Sequence, residues 1–149
     1  NFELTQKRMD IFDLKDDIKI INDAYNASFE SMKASLKVLS EYKNRRKIAV
    51  LGDMFELGEF SRELHENVGK EVAKNNIDIL IACGENSKYI VDKAEQGLSQ
   101  ENIYYIQDTE MIENLLQKII KPGDVVLFKA SNGMQFYKIA ERMVDLWKK

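Results

Sequence analysis

The run Lys47-Ile48-Ala49-Val50-Leu51-Gly52-Asp53 (residues 47–53) decides the fold. Its apolar part is continuous rather than alternating, which is the pattern of a strand covered on both faces. Residues 61–75 follow, with Leu64, Val68 and Val72 on one helical face and Ser61 available as a cap. A second apolar run then occupies residues 78–82. Two such strands joined by a helix run parallel, because the crossover returns the chain to the same edge.

The rhythm extends both ways. Further apolar runs lie at residues 18–21, 103–106 and 124–128, and helical patterns at residues 28–42, 86–96, 109–120 and 134–147. Pro122-Gly123 stops the fourth helix and turns the chain. The expected fold class is α/β: a Rossmann-like, doubly wound, mostly parallel sheet of five to six strands, with helices on both faces in three layers. Residues 1–17 fit the rhythm poorly and are expected to be a linker or the tail of a preceding central domain, with the domain proper at 18–149. The first residue is not methionine, which suggests a fragment or a processed chain.

Composition narrows the function classes. The chain has 149 residues, 44% of them hydrophobic, enough for one domain with a sizeable core. A net charge of -3 with 32% charged residues carries no electrostatic signature of a nucleic-acid partner or a membrane surface. No apolar run is long enough to span a bilayer. The single cysteine, Cys83, follows an apolar run and reads as a small core residue, and the lack of a disulfide framework makes a cytoplasmic setting the default.

In a doubly wound sheet ligands bind beyond the carboxyl ends of the strands, which singles out the loops after Ile21, Leu51, Ala82, Ile106 and Phe128, and three of these carry candidate chemistry. Residues 22–28 bring Asn22, Asp23, Tyr25 and Asn26 to the start of a helix. Asp23 could accept hydrogen bonds from ribose hydroxyls, or Asn22 and Asp23 could be turn formers ahead of the cap Ser28. Residues 51–58 set Asp53 and Glu56 between two glycines, either to face a cationic or metal-bound ligand or to form a solvated turn. His65 is the only histidine, too little for a zinc site or a triad, and reads as a hydrogen-bonded helix residue. Residues 128–133 put Lys129, Ser131 and Asn132 ahead of the last helix, a reasonable but non-specific anion site. The phosphate-cradling G-x-x-x-x-G-K-[ST] is missing, and no G-x-G-x-x-G opens the first helix, which disfavours a nicotinamide or flavin role.

Together these loops resemble the C-terminal domain of the Mur ligase family. The family's Asp-x-Tyr-Asn-Ala-Asn-Pro-x-Ser-Met pattern is similar to residues 23–32, with Ser28 and Phe29 in place of its Asn-Pro. Its Leu-Gly-Asp-Met-x-Glu-Leu-Gly stretch stands at residues 51–58, with His65 at the expected spacing, and is most similar to the branch whose acceptor is D-alanyl-D-alanine. Its terminal Lys-Gly-Ser resembles Lys129-Ala130-Ser131, and an arginine after Leu-Thr in the central domain's tail resembles Arg8.

The resemblance implies a three-domain, ATP-dependent ligase of peptidoglycan precursor synthesis, of which this chain is one part without activity of its own. ATP would phosphorylate the carboxylate of UDP-N-acetylmuramoyl-tripeptide, and the amine of D-alanyl-D-alanine would attack the acyl phosphate. ATP and Mg2+ would be bound mainly by the missing central domain, with the precursor on the missing N-terminal domain. Carried over residue by residue, Asp23, Tyr25, Asn26 and Arg8 would lie on the nucleotide side. Lys129, Ser131 and Asn132 would line the D-alanyl-D-alanine side, together with the loop Gln107-Asp108-Thr109, and this domain would supply no catalytic group and no metal ligand. For Asp53, Glu56 and His65 the resemblance implies membership and no role. The alternatives are the same domain of another amino-acid-adding Mur ligase, or a stand-alone nucleotide-binding module.

Overall fold

The computed structural model describes residues 9–149. Arg8 lies outside them. Six strands form one sheet: β1 (Asp10–Asp13), β2 (Lys19–Asn22), β3 (Lys47–Gly52), β4 (Ile79–Cys83), β5 (Ile103–Ile106) and β6 (Val125–Lys129). Among the described residues four α-helices connect strands, α1 (Phe29–Ser40), α2 (Ser61–Lys74), α3 (Lys88–Ala94) and α4 (Glu110–Ile119), and a fifth, α5 (Phe136–Trp147), follows β6. The strand order is β1-β2-β6-β3-β4-β5, parallel throughout except for β1, which pairs antiparallel with β2. The expected α/β class, strand number and mostly parallel pairing are therefore observed.

Each face of the sheet has its own core. Met32, Leu36 and Leu39 of α1, Val68 and Val72 of α2, and Ile90 and Ala94 of α3 pack on Ile21, Ala49, Leu51, Leu80 and Leu127. On the opposite face Ile112 and Leu116 of α4 and Phe136, Ile139 and Met143 of α5 pack on Ile20, Val50, Ile81 and Phe128. All residues of β3, β4 and β6 are buried, as the unbroken apolar runs require. Burying one large aliphatic side chain contributes about 1.5–3 kcal/mol, so the paired cores supply the main driving force.

The connections explain where a ligand site can form. From β3 the chain steps outward to β4 and β5 by helices on the α1 face. It then returns through α4 on the other face and inserts β6 between β2 and β3. The helices that follow β2 and β3 thus lie on one face, while the helix that follows β6 lies on the other. Such reversals open crevices at the carboxyl ends of the strands, and β6 has one on each side. The amino end is clamped by Asp124, 1% exposed, which accepts Arg46 Nε and Nη2 at 3.0 and 2.6 Å. Arg46 Nη2 also donates to the Ile119 carbonyl at 2.6 Å, fastening the end of α4 to the start of β3.

The segment before residue 18 contributes β1, tied to β2 through an ion pair between Asp13 and Lys19. A tight connection with positive φ at Asp16 and Asp17 lets the chain reverse there. Helix α1 starts without the family's Asn-Pro because Ser28 and Ser31 form a capping box. Ser28 Oγ accepts the Ser31 N–H at 3.1 Å, and Ser31 Oγ accepts the Ser28 N–H at 2.9 Å.

Candidate functional site

The crevice between β2 and β6 holds a buried ion pair. Asp23 continues from β2 and Lys129 ends β6, so the sheet register brings them side by side: Lys129 Nζ lies 3.0 Å from Asp23 Oδ2. The ammonium also donates to the Asp23 carbonyl at 3.3 Å and to the Asn26 carbonyl at 3.1 Å. Ser35, on the buried stripe of α1, donates its hydroxyl to the same carboxylate oxygen. Lys129 is 3% exposed and Asp23 8%. Among the described residues Asp23 Oδ1 has no hydrogen-bond partner, which leaves one carboxylate lone-pair face for a ligand. Asp23, Asn26, Ser28, Ser31, Ser35 and Lys129 line a cleft of about 430 Å³ here.

Asn26 is exposed, with its side-chain Oδ1 turned back onto the Ala27 N–H at 2.8 Å. Tyr25 is half-buried and stacks on Tyr137 with ring centroids 5.8 Å apart. Burial raises its phenol above the ordinary value, with Asp10, Glu141 and Tyr137 adding to the effect. The ring therefore stays neutral at physiological pH and presents an aromatic face.

The crevice between β6 and β3 is organised by the loop of residues 51–58. Asp53, 5% exposed, accepts the Asn86 N–H at 3.1 and 3.2 Å on its two carboxylate oxygens and the Ser87 hydroxyl at 2.8 Å. Gly84 makes this seat possible. Its φ is +125°, and a Cβ there would stand 2.5 Å from Asp53 Oδ1. His65 is fully buried; its Nε2 accepts the Met54 N–H at 3.0 Å, and its Nδ1 faces the Ser61 carbonyl at 2.7 Å. These contacts make Nδ1 the protonated nitrogen and give His65 the hydrogen-bonded helix role expected of it. Glu56 is exposed, at positive φ in the turn.

Ser131 closes this crevice. Its N–H donates to the Asp53 carbonyl at 3.0 Å, and its Oγ accepts the Phe55 N–H at 2.8 Å. Asn132 is exposed beside it. Ala130, where the family has glycine, is fully buried, and its methyl occupies space left by Gly52: a Cβ on Gly52 would stand 2.8 Å from it.

The structure thus joins Asp23 with Lys129, and Asp53 with Ser131, across the two sides of β6. It does not bring the Lys129 ammonium and the Ser131 hydroxyl into contact, and the Gln107-Asp108-Thr109 loop follows β5, separated from β6 by β3 and β4. Ser35, Asn86 and Ser87 were not among the expected site residues. Ser35 carried a usable signal, a polar residue on the apolar stripe of α1. Among the described residues no three His, Cys, Asp or Glu side chains are grouped so as to hold a metal ion. Likewise no helix among them is long and apolar enough to cross a membrane.

This is the architecture of a Rossmann-like α/β domain with polar crevices at its strand ends. Residues 7–132 match the family described as "Mur ligase, glutamate ligase domain", and the chain belongs to the Mur ligase family, in its C-terminal domain. It is 30% identical over 145 residues to the UDP-N-acetylmuramoyl-tripeptide--D-alanyl-D-alanine ligase of Bacillus subtilis, covering 96% of this chain and 32% of that one. The Synechocystis protein of the same name is 29% identical over 142 residues, covering 95% and 31%. The crystal structure of MurF ligase from Thermotoga maritima in complex with ADP superposes with a TM-score of 0.70 at 31% identity, covering 92% of this chain and 32% of that one. A MurF structure from Acinetobacter baumannii, TM-score 0.79 at 24% identity over 93% of this chain and 30% of that one, agrees in fold. The chain spans about a third of the length of these relatives.

Proposed function

We propose that this chain is the C-terminal domain of a cytoplasmic, ATP-dependent ligase that joins D-alanyl-D-alanine to UDP-N-acetylmuramoyl-tripeptide in peptidoglycan precursor synthesis. The observation that carries the reading is the similarity to the B. subtilis ligase of that name, which runs through 96% of the chain. The domain would close over ATP and help place the incoming dipeptide. Closure keeps water from a reactive acyl phosphate, a general need of such ligations. ATP phosphates and Mg2+ would be held mainly by a central domain preceding this chain. Residues 1–17 would lead from that domain, with β1 fastening the junction to the sheet.

Within this domain Asp23 would accept the ribose hydroxyls on Oδ1, with Tyr25 and Asn26 beside the nucleotide and Arg8 reaching it from the hinge. Lys129, Ser131 and Asn132 would serve the acceptor side, Lys129 standing at the seam because it is bonded to Asp23. The test is phosphate release by the full ligase, supplied with ATP and UDP-N-acetylmuramoyl-tripeptide and one acceptor at a time. Turnover is expected with D-alanyl-D-alanine. Turnover with diaminopimelate or lysine in its place would refute the acceptor assignment. Calorimetry on the isolated chain is expected to find weak ATP binding or none, since tight binding would favour a stand-alone nucleotide module. The Asp23→Ala ligase should lose ATP affinity, and normal affinity would refute the ribose role.

A further inference from the structure

The loop of residues 51–58 has no assigned task, yet it fixes the state of one hydroxyl. Ser131 is 7% exposed, and its Oγ accepts the Phe55 N–H at 2.8 Å. With a lone pair committed to that donor, the hydroxyl proton must leave in another direction. Among the described residues it meets no acceptor. A buried serine held this way is a preset donor aimed at a group that accepts.

Three consecutive residues keep the Phe55 N–H in place, each pinned by a different element. The Asp53 carboxylate takes the Asn86 N–H and the Ser87 hydroxyl from the segment after β4. The Met54 N–H is taken by His65 of α2. The Phe55 ring lies against the turn after Ser131, where a Cβ on Gly133 would stand 2.6 Å from Phe55 Cε2. Asp53 is 5% exposed and its carboxylate is filled by protein donors, so it is poorly placed to meet a ligand itself.

We propose that Asp53 is a positioning residue that acts through Ser131: it holds the peptide units of residues 53–55 so that the Phe55 N–H turns the Ser131 hydroxyl into a donor for the carboxylate end of the incoming acceptor. The inference rests on, and deepens, the acceptor-side reading of Ser131. A hydroxyl donating to a carboxylate makes a charge-assisted bond, and orienting it beforehand removes the cost of turning it during binding.

The test is a double-mutant cycle in the full ligase, read as separate KM values for D-alanyl-D-alanine and ATP. Ser131→Ala should raise the dipeptide KM about tenfold, and Asp53→Asn about three- to tenfold, with the ATP KM unmoved by either. The double variant should be no worse than Ser131→Ala alone. Effects that multiply, or an ATP KM that rises in step, would overturn the proposal, because Asp53 would then act on the domain as a whole. A Ser131→Ala enzyme with a normal dipeptide KM would also overturn it while leaving the ligase reading intact. If the wild-type enzyme uses a different acceptor, the ligase reading fails, and the same cycle run with that acceptor still decides the positioning role. Should Asp53→Asn fail to accumulate, Ser87→Ala removes one donor to the carboxylate and gives a milder form of the same cycle.

Discussion

Replacing Lys129 by methionine tests the Asp23–Lys129 pair most directly. The two side chains have similar volume, so little cavity is left behind. What is left is the Asp23 carboxylate, 8% exposed, with the Ser35 hydroxyl as its remaining side-chain partner. At the observed 3.0 Å the gross attraction is about 5–6 kcal/mol for an effective dielectric of about 20. Desolvation of both ions offsets much of that in the intact protein. The single variant instead reports the stranded charge, which costs about 3–5 kcal/mol. For a chain of this size that corresponds to a melting point lower by roughly 6–20 °C. Urea unfolding followed by circular dichroism measures it, and adding Asp23→Asn to Lys129→Met should recover most of the loss, because a neutral amide replaces the stranded carboxylate. A loss below about 1 kcal/mol, or a double variant worse than the single, would refute the reasoning: the pair would then be wet and worth no more than a surface bridge.

Two further outcomes follow from the second crevice. Burial pushes the Cys83 thiol up to about 11 from its ordinary 9.0, with the Asp53 and Asp108 carboxylates adding to it. The native thiol should therefore resist alkylation at pH 8, where only about one in a thousand would be thiolate; the stability contributed by this one group is fully present below pH 9 and is lost as pH rises through 11, and rapid labelling of folded protein at pH 8 would contradict the raised value. Gly84→Ala forces a methyl to within 2.5 Å of Asp53 Oδ1 at a φ of +125°, and should lower stability by about 2–4 kcal/mol in urea unfolding; a variant as stable as the parent would show that Asp53 does not need its present seat.

The sheet was legible in the sequence because β3, β4 and β6 are buried on both faces and are apolar apart from Lys47 at the start of β3 and Lys129 at the end of β6. The runs at residues 47–51, 78–82 and 124–128 fall within a residue of the observed strands. Strand β1 was not legible for the opposite reason. Asp10 and Asp13 flank only two apolar residues, three of the four positions are exposed, and the strand exists through its pairing with β2. Strand order was not legible either. No local pattern tells β6 to insert between β2 and β3, since that depends on which helices cover which face. The start of α3 was expected near Asn86 and is observed at Lys88, because the Asn86 N–H and the Ser87 hydroxyl are drawn to Asp53.

The same limit governs the site. Asp23 and Lys129 could each be picked out at a strand end, but their pairing spans 106 positions in sequence and exists only because β2 and β6 are neighbours. The reading of Asp53 and His65 could not progress from membership to role, because apart from the Ser87 hydroxyl their N–H donors are backbone groups of Asn86, Met54 and Ser131, which any residue except proline would supply. The departures from the family pattern make the same point from the other side. Ser28 in place of Asn is tolerated because Ser31, three residues on, completes a capping box. Ala130 in place of Gly is tolerated because Gly52, across the sheet, has no side chain to compete for the space. In each case the compensating residue is visible in the sequence, but its relevance depends on a contact made elsewhere: one helical turn away for Ser28, and across two neighbouring strands for Ala130. The reading of Lys129-Ala130-Ser131 therefore turns less on the missing glycine than on what surrounds it. With Ala130 seated against Gly52, Lys129 still faces Asp23 on one side of β6 and Ser131 still meets the Phe55 N–H on the other, so both crevices keep the groups on which the proposed closure depends.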